Sequence, residues 1–328
     1  MTQFNLSLPI RAGIVGTGFA AKLRAETLQA DTRSHLMAVS GHTPETTQEF
    51  ATKYDALAID SWQQLVEHPD LDLVIICTIN RDHSAIAHAA LKANKHVVVE
   101  YPLSLNPAEA EALIALAEAK GKLLHVEHIE LLGGLHQALR QSLPEIGNVF
   151  YTRYVTIFPQ RPAPRRWTYN HEQFGFPFSG AVSRIHRLTD LFGKVASVSC
   201  QSRFWEDDDY YTACLCTAQL RFTNSIIAEV TYAKGEAFWQ TLRNFEVHGE
   251  QGTLLFEGDI GSLIRGEERT PIEVGGRRGL FAKDTGMVLD YLVEGTPLYV
   301  SVAASCYALK VADAARQSAE TGKVVLIG

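Results

Sequence analysis

The chain has 328 residues, a length that suggests two domains. Hydrophobic residues make up 46% and charged residues 20%, which is the composition of an ordinary globular protein. The formal net charge of −7 argues against a nucleic-acid-binding protein, because such proteins usually carry a basic excess.

Strands and helices alternate in the first part of the chain. Short apolar runs predict strands at 10–15, 35–40, 71–79, 96–100 and 122–126. Helical patterns separate them, at 19–30, 44–54, 61–67, 83–94 and 107–120. This alternation is typical of a parallel sheet with helices on both faces. We therefore predict an α/β fold that begins with a doubly wound Rossmann domain over residues 1–127.

The remaining residues, 128–328, show a different order of elements. Helices are predicted at 128–142, 180–193, 284–294 and 302–321. Strands are predicted at 149–158, 195–204, 211–222, 226–234, 242–248 and 252–257, with a last short strand in the KVVLI run. Turn residues separate consecutive strands, which favours antiparallel hairpins. We predict a substrate-binding α+β domain with a large, mostly antiparallel sheet.

The sequence shows no sign of a membrane or secreted protein. No apolar run approaches the roughly 18 residues that a membrane-spanning helix needs. The N-terminus lacks the basic and apolar regions of a signal peptide. The five cysteines are irregularly spaced and form no C-x-x-C motif, which favours a reduced, cytoplasmic protein.

The turn after the first strand has the pattern G-x-G-x-x-A. Gly16 permits a tight turn, Gly18 lets the backbone approach a pyrophosphate, and Ala21 allows close packing of helix and strand. The helix that follows presents free N–H groups to phosphates. We therefore predict a nicotinamide dinucleotide site, with an incidental glycine turn as the alternative. Its first residues are Gly16, Thr17, Gly18, Phe19 and Ala20.

The tip of the second strand bears on the choice between NAD and NADP. Enzymes that use NAD usually place a carboxylate there, which binds the ribose 2′-OH. Here the tip reads SGHT, with no carboxylate to repel a 2′-phosphate. We predict a preference for NADPH, with Ser40, His42 and Thr43 near the ribose. The alternative is that Glu45 or Glu49 folds back onto the 2′-OH.

Two more segments follow predicted strands, at the carboxyl ends where open α/β sheets bind ligands. They contribute the candidate cofactor-binding residues Thr78, Asn80, His83, Glu100 and Tyr101. Asn80 and His83 could instead cap the next helix, and Tyr101 could be a packing residue.

Between residues 153 and 187 the chain holds six arginines, no lysine and one acid, Glu172. Guanidinium groups pair with carboxylates and stack on flat π systems. Aromatic residues are interleaved, so this stretch predicts a site for a planar anion. Arg184 and Arg187 are three residues apart and share one helical face. The candidate substrate residues are Arg166, Trp167, Phe174, Arg184 and Arg187, although the loop arginines could simply be solvated.

His125 and His128 invite a metal site, with Glu127 and Glu130 nearby. No third ligand has a recognisable spacing, so we expect no metal. Glu127 and His128 follow a predicted strand and could face the substrate instead.

Several segments together resemble the glucose-fructose oxidoreductase/inositol dehydrogenase family. They are the GTGFAA turn, TINRDH, VVVEYPL and HGEQGTLLF. The resemblance implies a Rossmann domain followed by a domain on a large open sheet, with self-association as a homodimer. Most members carry a lysine where this chain has Tyr101, and an Asp and a His where it has Ser183 and Arg187. This chain therefore lacks the proton-transfer residues that the family uses on sugar alcohols.

Two longer segments, GKLLHVEHIELL and QFGFPFSGAVSRIHRLTDLFG, resemble the biliverdin reductases, most closely the cyanobacterial ones. The resemblance implies reduction of biliverdin IXα to bilirubin, a step of heme degradation. Hydride would pass from NADPH to the C10 methine bridge, and a proton would reach a pyrrole nitrogen. Arg184 and then Tyr101 are the candidate catalytic residues. The alternatives are a sugar or cyclitol dehydrogenase and a non-catalytic regulator that senses NADPH or a bilin.

Overall fold

The computed structural model of the protein describes residues 6–328, apart from the side chain of Asp207. Two compact units make up the chain. The first holds the residues up to Ile129 together with Arg278–Cys306, and the second holds Glu130–Arg277 with Tyr307–Gly328. The sequence pattern predicts a single division near residue 127. In the structure, the segment 278–306 belongs instead to the first unit.

The strands of the described residues are β1 Ile10–Val15, β2 Ser34–Ser40, β3 Leu57–Ala58, β4 Leu73–Ile76, β5 His96–Val99, β6 Leu124–Val126, β7 Val149–Pro159, β8 Val195–Asp207, β9 Tyr210–Phe222, β10 Ile227–Gly235, β11 Leu242–Gly249, β12 Gly252–Glu257, β13 Ile260–Arg265, β14 Glu268–Ile272 and β15 Val325–Leu326. The helices are α1 Phe19–Ala30, α2 Pro44–Lys53, α3 Trp62–Glu67, α4 His83–Lys92, α5 Pro107–Lys120, α6 Gly134–Ser142, α7 His171–Phe174, α8 Pro177–Gly180, α9 Ser183–Phe192, α10 Leu280–Glu294 and α11 Val302–Thr321. None of these helices is both long and apolar enough to cross a membrane.

The first unit contains a six-stranded sheet in the order β3-β2-β1-β4-β5-β6. All neighbouring strands are parallel, which confirms the predicted doubly wound Rossmann fold. Every residue of β4 and β5 is buried, as expected for strands covered by helices on both faces. The strand order reverses between β1 and β4, and the crevice at such a switch point is where these folds bind ligands.

Helix α10 completes the core of the first unit. Its residues Val288, Leu289 and Leu292 are buried in the same hydrophobic cluster as Ala21 and Leu28 of α1. Burial of three large aliphatic side chains contributes several kcal/mol at roughly 2 kcal/mol each. This packing explains why the late segment belongs to the first unit.

The second unit contains a nine-stranded sheet in the order β14-β13-β12-β11-β7-β10-β9-β8-β15. Only β7 and β10 pair in parallel, so the prediction of a mostly antiparallel sheet is confirmed. The predicted C-terminal strand is β15, which pairs with β8. Strands β13 and β14 were not predicted. Gly261 in β13 and the charged residues of both strands hide the alternation, and β14 is an exposed edge strand.

Two helices of the second unit are shorter than the sequence pattern predicts. The run 128–142 begins as a 3₁₀ turn at Ile129–Leu131, and α6 starts only at Gly134. A Cβ at Gly134 would lie 1.8 Å from the carbonyl oxygen of Gly275, so the backbones touch there. The run 180–193 is split into α8 and α9, and Gly180 packs against the backbone of Phe174.

Candidate active site

The glycine turn between β1 and α1 has one crowded and one open side. Gly16 has φ +118°, and a Cβ there would lie 2.2 Å from the Cys77 carbonyl oxygen. Its N–H donates to the Ser40 carbonyl at 2.7 Å, which ties the turn to the end of β2. A Cβ at Gly18 would meet no described atom within 4 Å. The open side, at the N-terminus of α1, therefore has room for a pyrophosphate and fits a dinucleotide cofactor.

The other predicted residues of this turn are accessible. Thr17 and Ala20 are half-buried, and Phe19 is 73% exposed. The ring of Phe19 meets that of Phe281 edge to face, with centroids 6.1 Å apart. The turn thus places an exposed aromatic ring beside the open helix N-terminus.

The residues at the tip of β2 have different surroundings. Ser40 is buried, and the Thr43 side chain caps α2 by accepting from the Thr46 N–H at 3.3 Å. His42 is exposed, so it is the tip side chain most open to a ligand. Glu45 lies in the first turn of α2 and is also exposed.

His83 joins the loops that follow β4 and β5. One ring nitrogen lies 2.7 Å from the Pro102 carbonyl oxygen, and the other lies 3.2 Å from that of Thr78. The ring is buried, and this burial lowers the pKa of His83. Buried Asn80 begins the short turn between the two contacts. His83 therefore holds the two predicted cofactor loops at a fixed separation.

A buried ion-pair network lies in the same unit, and sequence reasoning missed it. The Arg24 guanidinium, fully buried, donates to Glu100 at 2.9 Å and to Asp284 at 2.5 Å. Asp284 also accepts from Tyr299 and contacts His125, both at 2.8 Å. Burial alone would raise the pKa of Asp284, but Arg24 and His125 lower it well below its usual value. Asp284 is therefore ionised and anchors α10 to α1.

Glu127 is a buried acid beside this network. Burial and the neighbouring Glu100 carboxylate raise its pKa well above the usual value for a glutamate. Its Oε1 accepts from the Ile129 N–H at 2.5 Å. Glu100 itself accepts from the Arg24 guanidinium at 2.9 Å.

Tyr101 and His128 stack on each other, with ring centroids 5.5 Å apart and planes 7° apart. The His128 ring also contacts the Ser305 hydroxyl at 2.8 Å, and the backbone N–H of His128 donates to the Tyr299 hydroxyl. Both His125 and His128 therefore have protein partners. Within residues 6–328 no group of three His, Cys, Asp or Glu side chains could hold a metal ion. The structure brings Glu100, Tyr101, Glu127 and His128 together.

The second unit contains a cavity that is open to solvent. It lies among α6, β7, α9, β11 and the segment after β14. Its lining combines guanidinium groups, aromatic rings and two acids: Arg184, Arg187, Arg243, Arg277, Tyr154, Phe158, Phe245, Phe256, Glu130 and Asp259. Arg184 and Arg187 both line it, as their predicted spacing on one helical face implies. Arg243 and Arg277 were missed, because they lie outside the arginine-rich stretch, and Glu130 was considered only as a possible metal ligand.

The two arginines of α9 make different contacts. Arg187 is buried and donates to Glu130 at 3.1 Å, and its guanidinium lies 5.7 Å from the ring centroid of Tyr154. Arg184 is half-buried and donates to the Ser183 hydroxyl at 3.0 Å. Its guanidinium lies 5.1 Å from the ring centroid of Tyr232. Arg184 is therefore the more accessible of the two.

The other predicted substrate residues do not line this cavity. Trp167 packs against Phe174, with centroids 6.0 Å apart, and Arg166 is exposed and donates to Thr168. Phe174 is buried, with its ring centroid 4.0 Å from the Lys234 ammonium. Burial lowers the pKa of Lys234 to about 8. Trp167 and Phe174 thus form an aromatic cluster around a buried lysine, which sequence reasoning missed.

Comparison with known proteins identifies the family. Residues 10–128 match the oxidoreductase family model for an NAD-binding Rossmann fold. Residues 143–327 match the same family's model for a C-terminal alpha/beta domain. Together the two matches confirm the family resemblance inferred from the motifs.

Individual relatives point to one branch of this family. A crystal structure of biliverdin reductase from Synechocystis sp. PCC 6803, in complex with biliverdin and NADP+, is 56% identical to this chain. It superposes with a TM-score of 0.94 and covers 95% of this chain and 99% of that one. Biliverdin reductase A of Mus musculus is 28% identical over 85% of both chains. The chain belongs to the oxidoreductase family with an NAD-binding Rossmann fold, and it is an NAD(P)H-dependent oxidoreductase.

Proposed function

We propose that this protein reduces biliverdin IXα to bilirubin, with NADPH as the hydride donor. The observation that carries the proposal is the cavity of the second unit, which combines four arginines with a wall of aromatic rings. Biliverdin is a flat tetrapyrrole with two propionates, so it needs both features. The 56% identity to a protein solved with biliverdin and NADP+ supports the same substrate class.

The first unit fits the cofactor. Gly16 and Gly18 shape the turn, and α1 begins where a pyrophosphate has room. A reduced nicotinamide bound there supplies the hydride. The tip of β2 has no carboxylate between residues 40 and 43, and this supports our proposal that NADPH is preferred over NADH.

In this proposal hydride is added at the C10 methine bridge, and a pyrrole nitrogen is protonated. Arg184 provides positive charge beside the bilin and stabilises the negative charge that develops on it. An arginine is a poor direct acid because it stays protonated at all ordinary pH values, so the proton would reach the nitrogen from a bound water or a propionate that Arg184 positions. Tyr101, stacked on His128, is the second candidate as hydrogen-bond donor.

Turnover tests the proposal directly. The purified protein, mixed with biliverdin and NADPH, is expected to bleach the green bilin absorption and form bilirubin. Tight NADPH binding without turnover would point to the regulator instead. Oxidation of a sugar or cyclitol in place of bilin reduction would point to the dehydrogenase.

The cofactor preference has its own test at His42. A carboxylate in His42→Asp would lie at the exposed tip of β2 and repel a 2′-phosphate. We expect kcat/KM for NADPH to fall about tenfold, the factor that corresponds to about 1.4 kcal/mol, while the value for NADH changes little. His35→Asp introduces the same charge at the other end of β2, where the side chain is also exposed, and serves as the control. Equal losses with both cofactors would contradict the preference.

A further inference from the structure

Glu130 is an acid that lies among the arginines of the cavity. Its two carboxylate oxygens pair with different arginines, Arg187 at 3.1 Å and Arg277 at a short distance. Burial alone would raise the pKa of Glu130, but Arg187, Arg277, Arg184 and Arg243 together lower it. Four guanidinium groups therefore act on one carboxylate inside the cavity.

Arg187 has hydrogen-bonding capacity that the protein does not use. Its side chain is only 2% exposed, and its Nη2 donates to Glu130. Its Nε and Nη1 are buried and donate to no atom of residues 6–328. Buried donors without an acceptor are costly, about 1–3 kcal/mol each, and therefore unusual outside binding sites. Because Arg187 lines the cavity, these donors indicate an anionic ligand.

Flat aromatic surface adjoins the same guanidinium. Tyr154 on β7 and Phe245 on β11 are directly paired across the two strands and stack at 4.6 Å with planes 13° apart. The Arg187 guanidinium lies 5.7 Å from the Tyr154 ring centroid. A ligand that uses both features carries its carboxylate on a flat conjugated ring system.

We propose that Glu130 holds the place of a substrate carboxylate, and that a propionate of the bilin displaces it from Arg187 and Arg277. This inference rests on the proposed function, whose substrate carries two such groups. Glu130 is 23% exposed at its side chain, and Arg277 is 52% exposed, so both have room to move apart. Arg187, fixed by its burial, then pairs with the propionate instead of with Glu130.

In this proposal Glu130 competes with the ligand carboxylate for Arg187 and Arg277. While it remains charged, a ligand carboxylate must break two ion pairs to enter and also meets a like charge nearby. Removing that charge while keeping the shape of the side chain should therefore strengthen the binding of a dicarboxylate. A ligand without carboxylates gains nothing from the change.

The test compares biliverdin with its dimethyl ester in equilibrium titrations without NADPH, followed by bilin absorption. For Glu130→Gln we expect a Kd for biliverdin about tenfold lower than that of the wild type, which corresponds to about 1.4 kcal/mol. The Kd for the ester should change less than about twofold. Glu257→Gln is the matched control, since Glu257 pairs with Arg269 at 3.2 Å outside the cavity lining. An unchanged or higher Kd of Glu130→Gln for biliverdin would overturn the inference.

A second variant guards against misfolding of the first. Arg277 is exposed, so Arg277→Gln should fold normally. We expect it to weaken the binding of biliverdin but not of the ester. Equal effects on both ligands would contradict a carboxylate contact at Arg277.

Turnover separates this inference from the proposed function. If Glu130→Gln binds biliverdin more tightly but neither protein reduces it, only the proposed function fails. If the wild type reduces biliverdin and Glu130→Gln leaves its Kd unchanged, only the inference fails. Protoporphyrin IX, another flat tetrapyrrole with two propionates, is titrated in parallel. Binding of neither dicarboxylate to the wild type would overturn the inference.

Discussion

At the scale of single residues, two arginines one helical turn apart have different surroundings. Arg187 is buried and paired with Glu130, so its charge is partly neutralised within the protein. Arg184 is half-buried and donates to a neutral hydroxyl, that of Ser183. The charge of Arg184 is therefore better placed to respond to charge that develops on a ligand. This difference supports Arg187 as a binding residue and Arg184 as the catalytic one.

Substitution of Arg184 tests that division. We expect Arg184→Ala to lower kcat for biliverdin about a hundredfold, because loss of one charge-stabilising donor has effects of this size. The Kd for NADPH should stay the same, since its predicted site lies in the first unit. Arg203→Ala, which removes an exposed arginine of β8, is the control. Unchanged turnover of Arg184→Ala would show that another group stabilises the charge.

The buried acid Glu127 makes stability depend on pH in a defined direction. Its pKa in the folded protein lies well above the ordinary 4.5, because of burial and of Glu100. The folded state therefore binds a proton that the unfolded state has released. The resulting stabilisation is complete below about pH 4.5 and is lost as the pH rises toward the folded-state pKa.

Glu127→Gln should remove that dependence, because glutamine is neutral at every pH and retains an oxygen that can accept from the Ile129 N–H. We expect its melting temperature, relative to that of the wild type, to increase between pH 5 and pH 9. Thermal unfolding at several pH values measures this. Glu118→Gln on the exposed face of α5 should follow the wild type. A constant offset at all pH values would show that Glu127 titrates normally.

At the scale of elements, the two glycines of the β1–α1 turn serve different purposes. Gly16→Ala forces a side chain into positive φ and against the Cys77 carbonyl, so it should lower the free energy of unfolding by about 2 kcal/mol. Gly18→Ala meets open space and should leave stability nearly unchanged while weakening NADPH binding. Melting temperatures and NADPH titrations of the two variants distinguish these effects. If both variants bind NADPH as tightly as the wild type, the turn is not the pyrophosphate site.

The elements also show how far the sequence alone leads. The continuous apolar runs of β4 and β5, and the local glycine pattern before α1, mark a Rossmann fold without any tertiary information. The pairing of Arg24 with Asp284 joins residues 260 positions apart, and no local pattern encodes it. The sequence likewise predicts that α10 is a helix, but it does not show that α10 packs against α1. The pairing of Glu130 with arginines was not predicted, because one partner, Arg277, lies far along the chain.

At the scale of the whole molecule, charge is unevenly distributed. The stretch 153–187 carries +5, whereas the rest of the chain carries −12. The structure refines this contrast. Two arginines of the stretch line the cavity, and Arg243 and Arg277 from elsewhere join them. Positive charge thus converges on one cavity through folding as well as through sequence. Self-association as a homodimer remains a prediction, which light scattering of the purified protein can check.

This concentration of charge in an acidic protein predicts how salt affects the reaction. The Debye length falls from about 10 Å at 0.1 M salt to about 3 Å at 1 M, so salt screens the attraction between the cavity and an approaching dianion. With NADPH saturating, kcat/KM for biliverdin should fall about fivefold over this range. The dimethyl ester experiences the same salt but carries no propionate charge, so its kcat/KM should stay nearly constant. Steady-state rates for the two substrates in parallel provide the comparison. Parallel declines would mean that salt acts on the protein or the cofactor, and that the four arginines do not steer the substrate.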